Sequence, residues 1–593
     1  MTFTDFATRL DAIEAVSSRL TMTEQLSELY QSLEETELRP ASYLLQGSLV
    51  PPYKSLEFQL STKMILRALA RVLPAPKVTE DLFGNTVAAP TIEQLEKQYK
   101  QVGDVGLLAQ TVCEQSPKAT SEPSLETVFS QLVDIATISG EGSQEEKVRL
   151  LVELLSILTP VGAKYVVRII IGRLRLGFST MTLLDALSWA RTGGKAHRDS
   201  LENAYQKRAD VGELAEFYFG LDATVIDSEE LLKTAFEEYT VEIGVPVVPA
   251  LCQRLNSAQE IIDKMGTVIA EPKYDGLRIQ VHFKQTPVGP EVVAYTRNLE
   301  EVTHMFPELQ QLGQTLDVQG AILDAEAIGY DPETDALLPF QQTITRKRKH
   351  DIAAAADSVP IRFYLFDILK LNDQPLISME LQQRKELLRQ HLKEDATFQF
   401  TPYIITTDPV ELRSYHETLL GDGLEGAVIK KVDDHYRSGR KGWSWVKIKE
   451  AEGTSGKLSD TLDLIVMGYY FGRGKRASLG IGAFLVGALT EDQQIVTVAK
   501  IGTGLTEDQF RALKTRIDAD KVTEQPELYS VHKGLRPDVW VAPNLVVEIA
   551  ADEITNSPNH TAGVALRFPR LVQFREDKSW EDATSVGEME SIK

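Results

Sequence analysis

A lysine that could act as a nucleophile stands in the segment EPKYDGLR, residues 271–278. Lys273 follows an apolar run typical of a strand and precedes Asp275 and Gly276, a pair typical of a turn. A lysine amine attacks an electrophile once burial or neighbouring cations lower its pKa from about 10.4. It then forms an imine with a carbonyl or a phosphoramide with a nucleotide. An exposed lysine at the end of a strand is the alternative interpretation of this segment.

Further residues suited to phosphate chemistry follow along the chain. Glu326 and Glu425 carry the oxygen ligands that Mg²⁺ prefers, although either could be a solvated charge at a strand end. Lys447 and Lys449 are two residues apart on a predicted strand, so they face one side and could hold phosphates. A solvated strand face would look the same. Phe366 could stack on a base or simply belong to an apolar core.

Six segments resemble the motifs of the covalent nucleotidyltransferases, the superfamily of DNA ligases, RNA ligases and mRNA capping enzymes. In chain order they are KYDG at 273–276, LDAE at 323–326, FYLFDIL at 363–369, EGAVIK at 425–430, WVKIK at 445–449 and LRFPRLVQFREDK at 566–578. Each segment alone is weak evidence. Six in the family order exclude coincidence.

The flanking regions resemble one branch of that superfamily, the larger ATP-dependent DNA ligases of archaea and eukaryotes. The similar segments are LDAIEAVSSRLTMTEQLSELY at 10–30, YVVRIIIGRLRLGFSTMTLLDAL at 165–187 and ADEITNSP at 551–558. The second implies DNA contacts by Arg168, Arg173 and Arg175, which cluster near two glycines. A core helix with surface arginines is the alternative for these three residues.

The nucleotide donor follows from the cysteines. An NAD-dependent ligase is expected to carry a four-cysteine zinc site, which Cys113 and Cys252 alone cannot supply. ATP is therefore the expected donor. The resemblance implies that Lys273 attacks its α-phosphate and carries AMP, which then passes to the 5′-phosphate of a nick.

The resemblance also assigns roles to the other motif residues. Glu271 would accept a hydrogen bond from the adenine amino group, and Phe366 would stack on the ring. Arg278 and Arg297 would contact the ribose, its neighbouring phosphate or the nicked strand. Glu326 and Glu425 would bind Mg²⁺ or Mn²⁺. The expected phosphate contacts are Lys447 and Lys449, which would also depress the pKa of Lys273, and the pyrophosphate contacts are Arg567, Arg570, Arg575 and Lys578.

One position departs from the family pattern. Similar ligases carry a nucleotide-contacting arginine six residues before the first lysine of WVKIK, where this chain has Lys441, with Arg440 beside it. Lysine keeps the charge but lacks the planar fork for bidentate contact. The sequence leaves open which of these two residues acts.

Hydrophobic periodicity predicts a multi-domain fold. The stripe that starts at Leu125 indicates an amphipathic helix capped by Ser124, and Ser143 and Glu146 indicate a capping box for the next helix, which ends before Pro160. After about residue 240, short β-rich runs alternate with turns, namely TVIAEP, RIQVHF, EVVAYTR, AILDAEAIGY, IRFYLFDIL and GAVIKK. We predict an all-α DNA-binding domain at 1–235, an α+β nucleotidyltransferase (adenylation) domain at 236–455 and a β-barrel OB-fold domain at 456–593.

Charge and composition limit the partners. The net charge of −23 requires that any DNA-binding face be a local basic patch. The run RKRKH at 346–350 could be such a patch or a nuclear localisation signal. We expect a monomeric, cytoplasmic, nucleoid-associated protein that acts on nicked double-stranded DNA and has no membrane segment. A sliding clamp as a partner, an RNA ligase activity and a catalytically dead nick-binding protein remain open alternatives.

Overall fold

The structure is a computed structural model that describes residues 1–16, 18–72, 91–115, 122–255, 257–338, 343, 359–439, 442–448, 461–472, 479–490, 492–502, 505–575 and 578–591. The chain divides into two compact units. The first comprises Met1–Leu255, Gln259–Leu412 and Asp422–Lys447, and the second comprises Asn256–Ala258, Arg413–Gly421 and Ile448–Lys593. Within the described ranges, no helix combines the length and apolarity that crossing a membrane requires.

The N-terminal part of the first unit is helical, as predicted. Its described helices pack around one apolar core. They are α1 Phe3–Glu14, α2 Arg19–Gln31, α3 Glu35–Leu45, α4 Thr62–Val72, α5 Ile92–Val102, α6 Val105–Glu114, α7 Leu125–Thr137, α8 Ser143–Ile157, α9 Pro160–Ile170, α10 Thr180–Thr192, α11 Arg198–Lys207, α12 Val211–Phe219, α13 Ala223–Ile226 and α14 Glu229–Glu238.

The starts of α7, α8 and α9 test the predicted caps. Ser124 accepts a hydrogen bond from the Thr127 amide and caps α7, which confirms that prediction. The predicted capping box is wrong, because Gly142, with a φ of +79°, precedes α8 and Ser143 is already its first helical residue. Glycine adopts such a positive φ without steric penalty. Pro160 follows the end of α8 as predicted and occupies the first position of α9, where its missing N–H is not needed.

Helices α6 and α9 approach each other at Gly106. A Cβ atom at Gly106 would lie 2.7 Å from Cγ of Arg168 and 2.9 Å from the carbonyl oxygen of Lys164. Only glycine therefore lets the two helices come this close. The contact encloses Arg168, which is 1% exposed.

Two sheets with short helices follow in the first unit. The strands are β1 Gln253–Arg254, β2 Val268–Pro272, β3 Leu277–Thr286, β4 Gly289–Thr296, β5 Gly320–Gly329, β6 Ile361–Leu371, β7 Gln374–Pro375, β8 Phe398–Phe400, β9 Ile404–Thr406, β10 Ala427–Lys431 and β11 Trp445–Ile448. The helices between residues 258 and 421 are α15 Ala258–Met265, 3₁₀ turns Thr303–Met305 and Pro307–Gln311, α16 Leu312–Thr315, α17 Leu381–His391 and α18 Pro409–Gly421. Residues Arg413–Gly421 of α18 belong to the second unit.

The spatial order of the strands brings the predicted motifs together. The first sheet has the order β1-β11-β10-β2-β9, and the second has the order β4-β3-β5-β6-β7 with β8 beside β6. β2 and β10 pair antiparallel, as do β3 with β5 and β5 with β6. The predicted β-rich runs of this region are confirmed as β2, β3, β4, β5, β6 and β10.

Alternation along β3 and β5 gives the second sheet one apolar and one polar face. Ile279, Val281 and Leu323 point into an apolar core. Because successive side chains of a strand point to opposite faces, the intervening residues lie on the other face. Those residues are Arg278, Gln280, His282, Asp324 and Glu326. The site is built on this polar face and on the first sheet.

The connector between the helices and the sheets is bound to β3. The Gly244 amide donates to Nδ1 of His282 at 2.9 Å, and the Val247 amide donates to Oε1 of Gln280 at 2.8 Å. Tyr295 donates its hydroxyl proton to the Gly244 carbonyl at 2.8 Å. Burial lowers the pKa of His282 to about 3, so the imidazole is a neutral acceptor at physiological pH.

The second unit is rich in β-structure. Its strands are β12 Leu462–Tyr470, β13 Ala483–Leu489, β14 Ile495–Ile501, β15 Lys521–Val522, β16 Tyr529–Ser530, β17 Val539–Val541, β18 Val546–Ala550, β19 Glu553–Asn556, β20 Val564–Arg567 and β21 Arg570–Phe574. The main sheet has the order β15-β17-β12-β13-β14-β16, with β18 pairing to β12 and β21. Helix α19 Glu507–Ala519 packs on its core, and 3₁₀ turns Lys533–Leu535 and Trp580–Asp582 precede α20 Val586–Ser591.

Candidate active site

Lys273 stands directly after β2 and is fixed by its backbone. Its amide donates to the Gly426 carbonyl at 2.9 Å, and its carbonyl accepts from the Glu425 amide at 3.1 Å. These bonds continue the β2–β10 ladder beyond the strand ends. A Cβ atom at Gly276 would lie 2.7 Å from the carbonyl oxygen of Ala327, so the turn after Lys273 requires glycine to approach β5. The segment that first indicated a nucleophile is therefore closely packed.

Carboxylates surround the side chain of Lys273. Its ammonium forms an ion pair with Glu425, and both side chains are about one-fifth exposed. Burial raises the pKa of Glu326 to about 7; Lys273 and Arg278 oppose this shift, and Glu425 and Asp275 add to it. These interactions place Lys273, Asp275, Glu326 and Glu425 close together. The sequence analysis predicted a role in the site for each of them except Asp275.

The donor set fits a divalent cation that is also held by substrate. Burial is the main cause of the raised pKa of Glu326, and the neighbouring Glu425 carboxylate adds to it. Among the described residues, no group of three or more His, Cys, Asp or Glu side chains is arranged to hold a metal by itself. Mg²⁺ commonly takes one or two carboxylates and completes its shell with water and phosphate oxygens.

Arg278 belongs to a buried network that the sequence did not predict. It donates to the Ala250 carbonyl at 2.6 Å, to Oδ2 of Asp324 at 2.8 Å and to the Tyr436 hydroxyl at 3.2 Å. Tyr436 in turn donates to Asp324 at 2.9 Å and accepts from the Ala250 amide. The predicted contact of Arg278 with the ribose, a phosphate or the nicked strand stays a prediction.

Glu271 is held by two buried lysines. It is 2% exposed and forms ion pairs with Lys385 and, at 2.6 Å, with Lys430. Burial lowers the pKa of Lys385 to about 8; Lys430 acts in the same direction and Glu271 opposes it. The carboxylate therefore stays buried because ammonium groups supply its counter-charge.

Phe366 is both a core residue and a site residue. It belongs to an apolar cluster with Tyr436 and Trp445. The Lys430 ammonium lies 4.2 Å from its ring centroid, and the Arg278 guanidinium lies 5.3 Å away. The alternative of a core phenylalanine thus describes its packing, and the predicted stacking on adenine stays a prediction.

Two of the remaining predicted nucleotide contacts, Lys447 and Arg297, lie in the first unit. Lys447 lies on β11 two residues from Trp445, so it shares the face that contacts Lys430. Arg297 follows β4 and is exposed. Arg440, Lys441, Lys449 and the 346–350 run lie outside the described residues.

The predicted pyrophosphate contacts lie in the second unit, where acidic side chains pair with them. Arg567 pairs with Glu553, Arg570 pairs with Asp552, and Arg575 and Lys578 share Asp463.

The predicted DNA contacts of the helical region divide into two kinds. Arg173 and Arg175 are exposed. Arg168 is not, because its guanidinium donates to Glu14 and Asp104 at 2.7 Å and to the Leu174 carbonyl. The prediction of a DNA contact is wrong for Arg168, since no phosphate can reach a side chain enclosed in this way.

Besides Asp275, four residues of the site were not singled out from the sequence. Asp324 and Lys430 stand inside segments that carried the resemblance, so a polar residue at a buried strand position was an available signal. Tyr436 and Lys385 had no such signal. Lys385 in particular belongs to LQQRKELLRQH, a charged helix that is typical of a solvent-facing surface.

Comparisons with known proteins agree with this geometry. Three family models match the chain: "DNA ligase N terminus" over residues 2–188, "ATP dependent DNA ligase domain" over 249–449 and "ATP dependent DNA ligase C terminal region" over 477–578. A "Probable DNA ligase" of Dictyoglomus turgidum is 38% identical, covering 99% of this chain and 97% of that protein. "DNA ligase 2" of Thermofilum pendens is 35% identical, covering 98% and 95%.

A structural likeness extends over nearly the whole chain. A solved structure described as "Pmar-Lig_PreS3" matches with a TM-score of 0.52 and 16% identity, covering 96% of this chain and 99% of that one. At that identity the likeness concerns the fold alone. The three family models and the relatives above 30% identity show that this chain belongs to the ATP-dependent DNA ligases, enzymes that form phosphodiester bonds at nicks in DNA.

Proposed function

We propose that Lys273 is the residue that carries AMP during nick sealing. The observation that supports this most strongly is its position among Asp275, Glu326 and Glu425 with its ammonium paired to Glu425. The ammonium form is not nucleophilic, so a proton must leave before attack. Nζ of Lys273 then forms a bond to the α-phosphorus of ATP, and the bond to the bridging oxygen of pyrophosphate breaks.

Two further transfers complete the reaction. An oxygen of the 5′-phosphate at the nick attacks the phosphorus of the AMP, and the bond from that phosphorus to Nζ breaks. The 3′-hydroxyl then attacks the 5′-phosphate, loses its proton and expels AMP. All three steps depend mainly on positioning and on stabilisation of developing negative charge.

We further propose that Glu326 and Glu425 hold Mg²⁺ or Mn²⁺. When bound, the ion would supply charge neutralisation at the phosphate oxygens. Glu271 would accept from the adenine amino group, Phe366 would stack on the base, and Arg278 and Arg297 would contact ribose, phosphate or the nicked strand. Phosphate contacts would come from Lys447 and Lys449 and from Arg440 or Lys441.

The finer architecture is proposed as well. The domain boundaries would fall at 1–235, 236–455 and 456–593, the N-terminal domain being all-α and the last an OB-fold barrel. Arg567, Arg570, Arg575 and Lys578 would exchange their carboxylate partners for pyrophosphate oxygens. Arg173 and Arg175 would contact the DNA backbone. The protein would act as a cytoplasmic, nucleoid-associated monomer, with a sliding clamp as an open further partner.

The deciding experiment uses ATP labelled at the α-phosphate, Mg²⁺ and no DNA, followed by a denaturing gel. The wild-type chain is expected to carry label that survives denaturation, and Lys273→Ala is expected to carry none. Nicked DNA and nicked RNA, added next, decide between the two polynucleotides. A folded wild-type chain that takes up no label from ATP with Mg²⁺ or Mn²⁺ would contradict the proposal and favour a nick-binding protein.

A further inference from the structure

Lys385 lies behind the proposed adenine contact, outside all six motif segments. It stands on α17, and its side chain is fully buried. Its ammonium forms an ion pair with Glu271 and donates to the Phe366 carbonyl at 3.0 Å. The Lys385 ammonium thus contacts both residues proposed to recognise the base. These are Glu271, which would bind the edge of the base, and Phe366, which would stack on its ring.

The neighbouring residue on α17 makes a pair of a different kind. Arg384 donates two hydrogen bonds to Asp367, at 2.8 and 2.9 Å, and both residues are fully buried. That pair occupies both oxygens of its carboxylate in a bidentate arrangement and joins α17 to β6. Lys385 instead directs its charge to Glu271 on β2, two residues before Lys273. Two adjacent residues of α17 therefore pair with two different carboxylates, Asp367 and Glu271, and only Glu271 belongs to the site.

The choice of base depends on whether the Glu271 carboxylate accepts or donates a hydrogen bond. An ionised carboxylate only accepts hydrogen bonds, whereas a protonated one can also donate. Adenine presents an amino donor at C6, and guanine and hypoxanthine present a carbonyl acceptor there. A buried ionised carboxylate requires counter-charge, and Lys385 and Lys430 supply it. Each carboxylate oxygen has a second lone pair, so both lysines leave acceptor capacity for a base.

We propose that Lys385 is a positioning residue that fixes Glu271 as a hydrogen-bond acceptor and thereby sets the preference of this ligase for a purine with an amino group at C6. The proposal rests on the proposed role of Glu271. Without Lys385, one oxygen of Glu271 would face the rings of Phe400 and Tyr403, which now lie 5.1 and 4.8 Å from the ammonium. The carboxylate would then leave its present position, and the fixed acceptor that favours a C6 amino group over a C6 carbonyl would be lost.

The test compares ATP with inosine triphosphate (ITP), each labelled at the α-phosphate, in the DNA-free labelling reaction. The quantity measured is the ratio of kcat/KM for ATP to kcat/KM for ITP. We expect Lys385→Met to lower this ratio by about tenfold, which corresponds to about 1.4 kcal/mol of lost discrimination between the two bases. Lys385→Gln keeps a donor without the charge and is expected to lower it less, which gives a second variant should the methionine variant not fold.

Two controls separate positioning from packing. Lys370→Met removes a partly buried lysine of the same domain that donates to the Val241 carbonyl, and the ratio should not change. In a Glu271→Gln background the ratio is already low, and Lys385→Met should lower it no further. An unchanged ratio in folded Lys385→Met, an equal loss of both nucleotides, or a further drop in the Glu271→Gln background would overturn the inference. A wild-type chain that takes no label from ATP would instead overturn the proposed function.

Discussion

Two buried groups of charged side chains, one in the helical region and one between the sheets, differ in their balance of charge and in their roles. The Arg168 group consists of Arg168, Glu14, Asp104 and Lys164, and its carboxylates satisfy the cations that join α1, α6 and α9. The Glu271 group consists of Glu271, Lys385 and Lys430, and there two ammonium groups share one carboxylate. The first group is closed and holds helices together. The second has an excess of positive charge and leaves acceptor capacity for a ligand.

Glu14 illustrates how strongly the Arg168 group binds its carboxylates. Burial by itself would raise the pKa of the Glu14 carboxyl, but hydrogen bonds from Arg168, Lys164 and Tyr165 outweigh it and lower that pKa to about 2. Removing one member of such a group leaves uncompensated charge in the interior. Burial of a charged side chain therefore does not by itself indicate a binding site, because ion pairs that join helices bury charge as well.

The largest expected effect comes from breaking the closed group. Arg168→Met should lower the free energy of unfolding by about 3–5 kcal/mol, because Asp104 loses its main buried partner. Urea denaturation monitored by circular dichroism measures the change. Arg173→Met, at an exposed position five residues on, should change it by less than about 0.5 kcal/mol. Equal effects of the two substitutions would remove the distinction between the groups.

The opposite result is expected at the active site. Glu326→Gln should slow labelling of Lys273 by about 100-fold, since a ligand of the proposed metal is lost. The free energy of unfolding should stay the same or rise, because the raised pKa shows that burial disfavours this charge. Glu333→Gln, at an exposed position of the same domain, is the control for both measurements. A large loss of stability with normal labelling would make Glu326 a structural residue.

The sequence predicted the elements better than the contacts between them. The apolar character of the runs RIQVHF, AILDAEAIGY and IRFYLFDIL is a local signal, and β3, β5 and β6 form where these runs stand. Arg168 was wrongly assigned because its partners, Glu14 and Asp104, are remote in the sequence. Nothing local distinguishes an arginine beside a DNA-facing loop from one that two distant helices enclose.

Lys385 was missed for the same physical reason. Its charged helix has the composition of a solvent-facing surface, and its burial arises only when α17 packs on β6. The motif residues Lys273, Glu326 and Glu425 could be predicted because chemistry constrains their types and spacing. The residues that position them are constrained by the packing of this particular fold, which the order of residues alone does not display.

A smaller effect is expected from pH at the connector. The pKa of His282 is about 3 in the folded chain, against 6.5 for an ordinary histidine, so the unfolded chain binds the proton first as the pH falls. Its stabilisation is complete above about pH 6.5 and is lost toward pH 3, at no more than about 1.4 kcal/mol per pH unit. Urea midpoints between pH 7.5 and 4.5 should fall less steeply in His282→Gln. The exposed His304→Gln should behave as wild type.

The smallest expected effect concerns the exposed arginines that remain beside the Arg168 group. Arg173→Ala combined with Arg175→Ala should leave labelling of Lys273 unchanged and weaken binding of nicked DNA. The slope of log Kobs against log salt should fall by about 0.9 for each DNA phosphate that the protein no longer neutralises, measured by fluorescence anisotropy. Arg175 donates to the Gly103 carbonyl and lies 3.4 Å from Asp104, so its contribution to DNA binding should be smaller than that of Arg173.

Arg149→Ala, an exposed arginine paired within α8, is the matched control. A slope that changes equally in the control would mean that Arg173 and Arg175 contribute no more to DNA binding than another exposed arginine of the helical region.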